Sequence, residues 1–330
     1  MAHEIFGERF FGRRVPAWHR IGTVLDQGLS ARAALDLVGE YWVDLQDLRT
    51  VRGVDVPLKA IVRYPTEDDP VHKIFGVVGP DYTLITPHDF CAIWDEHVGE
   101  PVETLGALKE GRILFVSAIL PSFKVRGDEV ANYLLAVGPM TGDEAAEVRV
   151  TPVRVVCNNT LIASARMASE TYRIVHDQTA KERLGRWLTY VWQRVEAMSK
   201  KLQKAFDAMA ACNLSGGEHE SLIPKLYPYP NYPSENALPE VARDRVERWQ
   251  QMMKTVDLRR WALRELLAGA GTGLDQPACR GTAWGLYNAV AELEDYRYYR
   301  QDKSAAFDAI YGDRARVKER AFEMCLSVCH

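Results

Sequence analysis

Long apolar runs are missing from this 330-residue sequence, and no stretch approaches the roughly 18 residues that a membrane-spanning helix needs. The first twenty residues, MAHEIFGERFFGRRVPAWHR, carry charge throughout and lack the apolar core and small-residue cleavage site of a secretory signal. We therefore expect a cytoplasmic protein with no membrane partner. Cysteine is sparse: Cys91, Cys157, Cys212, Cys279, Cys325 and Cys329 are scattered, which argues against a disulfide framework in a reducing compartment. Cys325 and Cys329 share a helix face next to His330, but zinc needs further ligands and no second cluster supplies them.

The usual catalytic signatures are also absent. There is no G-x-x-x-x-G-K-[ST] phosphate loop, and Gly269, Gly271 and Gly273 follow a helix, whereas a dinucleotide loop must connect a strand to a helix. His19, His72, His88 and His97 show no metal-ligand spacing, and acidic pairs such as Asp68-Asp69 read as solvated loops. No cofactor is implied. Cys157, at a strand-to-helix turn with Asn158, Asn159 and Thr160, is the one candidate nucleophile. No spacing nominates its base, and His176 and His19 qualify only by residue type. A buried thiol closing a strand explains Cys157 as well.

What the sequence does have is 47% apolar and 26% charged residues, an ordinary globular composition. Its patterns predict an α+β fold. Ser30 caps a helix over Ala31–Val38, and Thr86-Pro87-His88-Asp89 starts one through Phe90–His97. Strands are expected at Trp42–Val51, Leu58–Tyr64 and Lys73–Val78, with Tyr82–Ile85 leading into the second helix. Arg112–Leu120, Asn132–Val137 and Val148–Val156 are joined by short polar turns, so they should pair as an antiparallel meander, with Pro152 at an edge or bulge. A short helix over Leu161–Ala168 would complete a β-β-β-α unit. From Thr179, Leu184, Leu188, Val191, Val195, Met198, Leu202, Ala205 and Met209 make the apolar seam of a long amphipathic helix. Beyond it we expect a Pro-rich connector at 214–239 and helices near Glu240–Leu267, Arg280–Tyr299 and Arg314–Val328. The domains are read as an α+β core over 1–178 and a helical part over 179–330.

Net charge is −4, which by itself argues against a polyanion partner. The distribution argues otherwise. Eleven basic residues against four acidic ones between Arg149 and Lys204 give that segment +7 and leave −11 on the rest. Arg183, Arg186, Arg194, Lys200, Lys201 and Lys204 fall opposite the apolar seam and could track a phosphate backbone. Tyr172, Trp187, Tyr190 and Trp192 lie among them as stacking surfaces for unpaired bases, unless they are simply core.

The segments Pro16–Val24 (PAWHRIGTV), Glu103–Leu108 (ETLGAL), Gly127-Asp128 before Tyr133-Leu134-Leu135, and above all Thr151–Leu161 (TPVRVVCNNTL) resemble the DUF932 family of phage and plasmid proteins. Gly281-Thr282-Ala283-Trp284 and Asn288-Ala289-Val290 are similar to its C-terminal pattern, and Tyr296 departs from it where a histidine is expected. The resemblance implies a mobile-element protein in a bacterial host cell, and the family name carries no activity. Phage recombinases of the Erf, Red-beta and Rad-type groups anneal single strands on a β-β-β-α core assembled into rings or filaments, and the expected order of elements resembles theirs at the level of fold.

The leading expectation is a non-catalytic, ATP-independent single-strand DNA annealing protein working as a homo-oligomer. Arg149, Arg154, Arg166 and Arg173 would act near the strand-to-helix turn, Lys181, Arg183, Arg186 and Trp187 at the start of the long helix, and Asn158 and Thr160 as neutral phosphate contacts. The rivals are a Cys- or carboxylate-based enzyme of a mobile element, and a structural or host-modulating phage protein that binds a protein partner through its long helix.

Overall fold

Alternation and capping shape the elements, which a computed structural model describes over residues 5–13, 22–154, 159–160, 172–233, 239–297 and 313–329. The strands are β1 (Ile5–Arg13), β2 (Thr23–Leu25), β3 (Val43–Arg49), β4 (Asp55–Arg63), β5 (Lys73–Val78), β6 (Thr104–Leu108), β7 (Ile113–Val125), β8 (Asp128–Pro139), β9 (Ala146–Arg154), β10 (Asn159–Thr160) and β11 (Tyr172–Ile174). The helices are α1 (Ala31–Val38), α2 (Pro87–His97), α3 (Ala180–Ala211), α4 (Gly216–Leu226), α5 (Pro239–Glu265), α6 (Ala283–Glu292) and α7 (Asp313–Ser327). The α+β class expected from the sequence is what the chain adopts.

β7, β8 and β9 form the antiparallel meander that the turns predict. Arg126 and Gly127 both have positive φ, as a two-residue hairpin turn that matches strand twist requires. β6, β1 and β2 extend the sheet beyond β7, while β10 and β11 pair with the two ends of β9. Pro152 lies between those two pairings, on the stretch of β9 where an absent N–H costs no ladder bond to either. Asn159 and Thr160 pair back to β9 as strand residues, so they do not open a helix; Cys157, Asn158 and the expected helix over Leu161–Ala168 lie outside the described residues.

A second sheet, β3-β4-β5, is antiparallel throughout. It docks on the first where Arg112 Nη1 donates to the Phe75 carbonyl at 2.8 Å. A methyl group on Gly76 would sit 2.0 Å from the Thr141 carbonyl oxygen, so only glycine allows that approach. The guanidinium groups of Arg9 and Arg63 lie 4.4 and 4.5 Å from the ring centroid of Phe6 on β1. Both arginines are buried and pair with Asp68 and Asp69 at 2.6 Å, so their charges are compensated. Tyr82–Ile85 carries no strand.

Capping follows the sequence. Ser30 Oγ accepts from Ala33 N, and Asp95 of α2 accepts from Ala31 and Arg32 N, so α2 closes the N-terminus of α1. Thr86 and Asp89 exchange hydrogen bonds as a capping box. α3 lays its seam on the sheet, with Leu184, Leu188, Val191, Val195, Met198, Leu202 and Met209 buried, each worth about 2 kcal/mol against exposure. Phe206 is buried in the seam and Ala205 only partly so, because the last turns meet aromatic residues of the C-terminal helices. α6 is buried on every side, and Trp284 Nε1 donates to Asp128 Oδ2 at 3.0 Å, tying the helix to the β7–β8 turn.

α4 corrects the expected connector: Ser215 and Glu218 cap a helix inside the stretch read as extended, and Pro224 is accommodated within it. α5 and α6 pass directly into π-helical turns at Leu266–Ala270 and Leu293–Arg297, and Gly269 at φ 123° gives the break read from its glycines. Lys318, fully buried, pairs with Asp295 at 2.7 Å.

The docking of the small sheet gives a stability test. Gly76→Ala should cost about 2 kcal/mol or more in urea unfolding, because a backbone carbonyl cannot retreat as a side chain can. Gly79→Ala, with nothing within 4 Å of the added methyl, should change stability by less than about 0.5 kcal/mol. Equal effects of the two would show that the sheets do not meet at Gly76.

Candidate nucleic-acid interface

Strand parity divides the expected cations between two surfaces. Val148 and Val150 of β9 face α3 in the main core, so Glu147 and Arg149 point to the opposite face of the sheet. Arg149 is buried there, 3.9 Å from Glu147, and Arg173 of β11 reaches the same carboxylate at 2.9 Å. Tyr172, one residue earlier, faces α3 and stacks on Trp187 with ring centroids 4.0 Å apart. These residues therefore do not share one surface: Arg149 and Arg173 lie behind the sheet, and Lys181, Arg183, Arg186 and Trp187 in front. Arg154 and Thr160 belong to β9 and β10, with side chains outside the described residues, where Asn158, Arg166 and Cys157 also lie.

Several cations of the front surface have counter-charges of their own. Lys181 pairs with Asp89 of α2 at 2.8 Å. Burial alone would raise the Asp89 pKa, but hydrogen bonds from Lys181 and Thr86 outweigh it and hold the carboxyl below its ordinary range. Arg183 pairs with Asp177 at 2.7 Å and donates to the Val175 carbonyl at 2.6 Å, and Lys200 pairs with Glu196 one turn back. Hydrogen bonds from Thr179 are the main reason that Asp177 stays ionised below the ordinary range.

Four α3 cations remain exposed and without a carboxylate partner among the described residues: Arg186, Arg194, Lys201 and Lys204. At 100° per residue they cluster on one half of the exposed surface, with Glu182, Glu196 and Asp207 on the other, and they run for about 27 Å along the axis. The Arg194 guanidinium lies 3.8 Å from the centroid of Tyr190, four residues earlier, a helical spacing that was legible in the sequence. Tyr190 also meets Tyr172 and Trp187 edge-on. These aromatic residues therefore use their faces on one another and on Arg194, and form one half-buried ledge beside the cationic stripe.

Where α2 crosses α3, His97 Nδ1 meets Thr189 Oγ1 at 3.0 Å, and its ring fills the space that a side chain on Gly185 would take. His176, a possible base by type, stacks on Tyr82 and its Nδ1 bonds the Thr83 carbonyl at 3.1 Å. These contacts hold the ring in place beside Tyr82. Cys325 is buried, and Cys329 donates to the Cys325 carbonyl at 2.9 Å; no group of three metal-ligating side chains occurs among the described residues.

Burial lowers the His176 pKa, and His219 of α4 is lowered for the same reason. The unfolded chain then takes up protons near pH 6.5 that the folded chain refuses, so stability is full above about pH 6.5 and falls as the pH drops below it. In urea unfolding at several pH values, His176→Gln should flatten this acid-side loss while His219 keeps part of it. An unchanged slope would mean that His176 is protonated in the fold.

No helix of the described residues is long and apolar enough to cross a membrane. No curated protein and no solved structure matches the chain. One family model does match, over residues 74–310, a span that runs from β5 through the meander, α3 and α6. By that match over most of its length, the chain belongs to the family described as a domain of unknown function, DUF932.

Proposed function

We propose that this protein binds single-stranded DNA along α3 and anneals complementary strands without ATP, acting as a homo-oligomer. The observation that carries the reading is the stripe of Arg186, Arg194, Lys201 and Lys204, exposed, about 27 Å long and without ion-pair partners among the described residues. A row of this kind meets the phosphates of one strand and makes no demand on its bases, which are left free to pair. The ledge of Tyr172, Trp187 and Tyr190 offers only edges and partial faces, so stacking contributes less than charge. One stripe covers only a short stretch of strand, and an oligomer would supply the length that annealing needs.

A partner-binding role for the apolar seam has less support. That seam is covered by the chain's own sheet and C-terminal helices, so a partner on α3 would meet its charged side.

Fluorescence anisotropy with a labelled oligothymidylate tests the proposal. Four phosphate contacts predict a slope of about −3 for log K against log salt concentration. Arg186→Glu with Lys201→Glu should abolish binding at moderate salt, whereas Arg173→Glu, behind the sheet, should leave it within about threefold because phosphate contacts act locally. Complementary oligonucleotides should anneal faster with the wild-type protein and not with the double variant. No binding at low salt, or binding indifferent to the double reversal, would overturn the reading.

A further inference from the structure

The small sheet has one face turned away from the core, and that face carries large apolar side chains around Asp44. Strand register puts Trp42 directly before the Val43–Arg63 pair, so Trp42 and Tyr64 stand opposite each other, and Tyr64 N donates to the Trp42 carbonyl at 2.9 Å. Next along the same face come Asp44, Val62 and Ile74, each opposite the next. Trp42 is 57% exposed and Ile74 62%, although aromatic and β-branched side chains of this size are ordinarily covered.

At the Trp42 end the face has an open concavity of about 490 Å³, lined among the described residues by Trp42, Val43, Asp44, Tyr64 and Thr86. Asp44 is the one charged residue among the described lining residues; one of its oxygens accepts from Leu45 N at 2.7 Å, and it has no ion pair among the described residues. The outer face of the Trp42 indole is open, while its inner face is braced by His88, stacked at 4.1 Å and held by Glu40 at 2.9 Å. Gln46 donates to the Tyr64 hydroxyl and fixes that ring. Two positioned aromatic rings and a carboxylate are a receptor for a cation: the rings offer negative π faces, and Asp44 supplies the counter-charge. Phosphate is disfavoured at the same place because no lysine or arginine is among its described lining residues.

The shape of the ligand follows from the strand beside the pocket. β3 supplies Val43 and Asp44, and among the described residues it pairs only with β4; on its other edge Leu45 N is held by Asp44 Oδ1 at 2.7 Å, and the remaining backbone groups of that edge have no strand partner among the described residues. We propose that an extended basic segment of a partner protein adds along the open edge of β3 and places an arginine side chain in the pocket between Trp42, Tyr64 and Asp44. Backbone pairing gives such a contact its strength, and the pocket gives it specificity. The site is separate from the α3 stripe and does not depend on the reading given to it.

Isothermal titration of the full chain with short end-blocked peptides of alternating threonine and valine and a central arginine, lysine or glutamine tests this. The arginine peptide should bind saturably and the glutamine peptide should not. Trp42→Ala and Asp44→Asn should each weaken the arginine peptide by about tenfold or more. Both residues are exposed, and Asp44→Asn keeps size and shape, so loss of binding in that variant does not reflect loss of the fold. Oligothymidylate binding should be unchanged in both. The proposal is overturned if no peptide binds, or if arginine and glutamine peptides bind alike. It is also overturned if N-acetyl-arginine amide binds as tightly as the peptide, which would mark a small-molecule site. Competition by the oligonucleotide, lost in Trp42→Ala, would mark a nucleic-acid surface and overturn it as well.

Discussion

The burial of the α3 seam on the sheet is the contact on which the rest of the molecule depends. It covers Val148 and Val150 of β9, gives α2 a helix to cross at Gly185, and carries Phe206 into the aromatic cluster with Trp284, Tyr287 and Phe322. Because the seam takes one side of the helix, the cations spaced between its apolar positions must point to solvent. The same periodicity that buries α3 therefore builds its charged stripe.

Charge on this protein is arranged in two unlike ways. Around the cores, guanidinium and ammonium groups are enclosed with their partners: Arg63 with Asp69, Lys318 with Asp295. Removing one partner of such a pair leaves a buried charge, so these residues constrain the fold more than they reward it with stability. Along α3, by contrast, Arg186, Arg194, Lys201 and Lys204 are spaced on an open surface without a carboxylate partner among the described residues, and Arg194 lies on an aromatic ring. A count of basic residues in a segment does not separate the two kinds.

Much of the architecture was legible because it rests on local chemistry. Ser30, Thr86 and Asp89 announce their helices through hydrogen bonds made within three residues, and the meander follows from turns too short for a crossover. Where the reading failed, a local signal was offset by another. The cap of Ser215 and Glu218 was hidden by two glycines and by Pro224, and charged residues masked β1 as a strand although Phe6 and Phe10 are buried. Asn159 and Thr160 looked like a helix cap, and cross-strand pairing with β9 made them strand.

The sequence by itself determined the α+β class, the long helix with its apolar side and charged side, and the family, because periodicity, capping and motif all act over a few neighbouring residues. Only the tertiary structure decided which cations are free. Whether Arg149 or Val150 faces α3 is a matter of strand parity, and whether Lys181 or Arg183 has a counter-charge depends on Asp89 and Asp177 being brought alongside. The open face that bears Trp42 was likewise invisible, since exposure is a property of what the folded chain leaves uncovered.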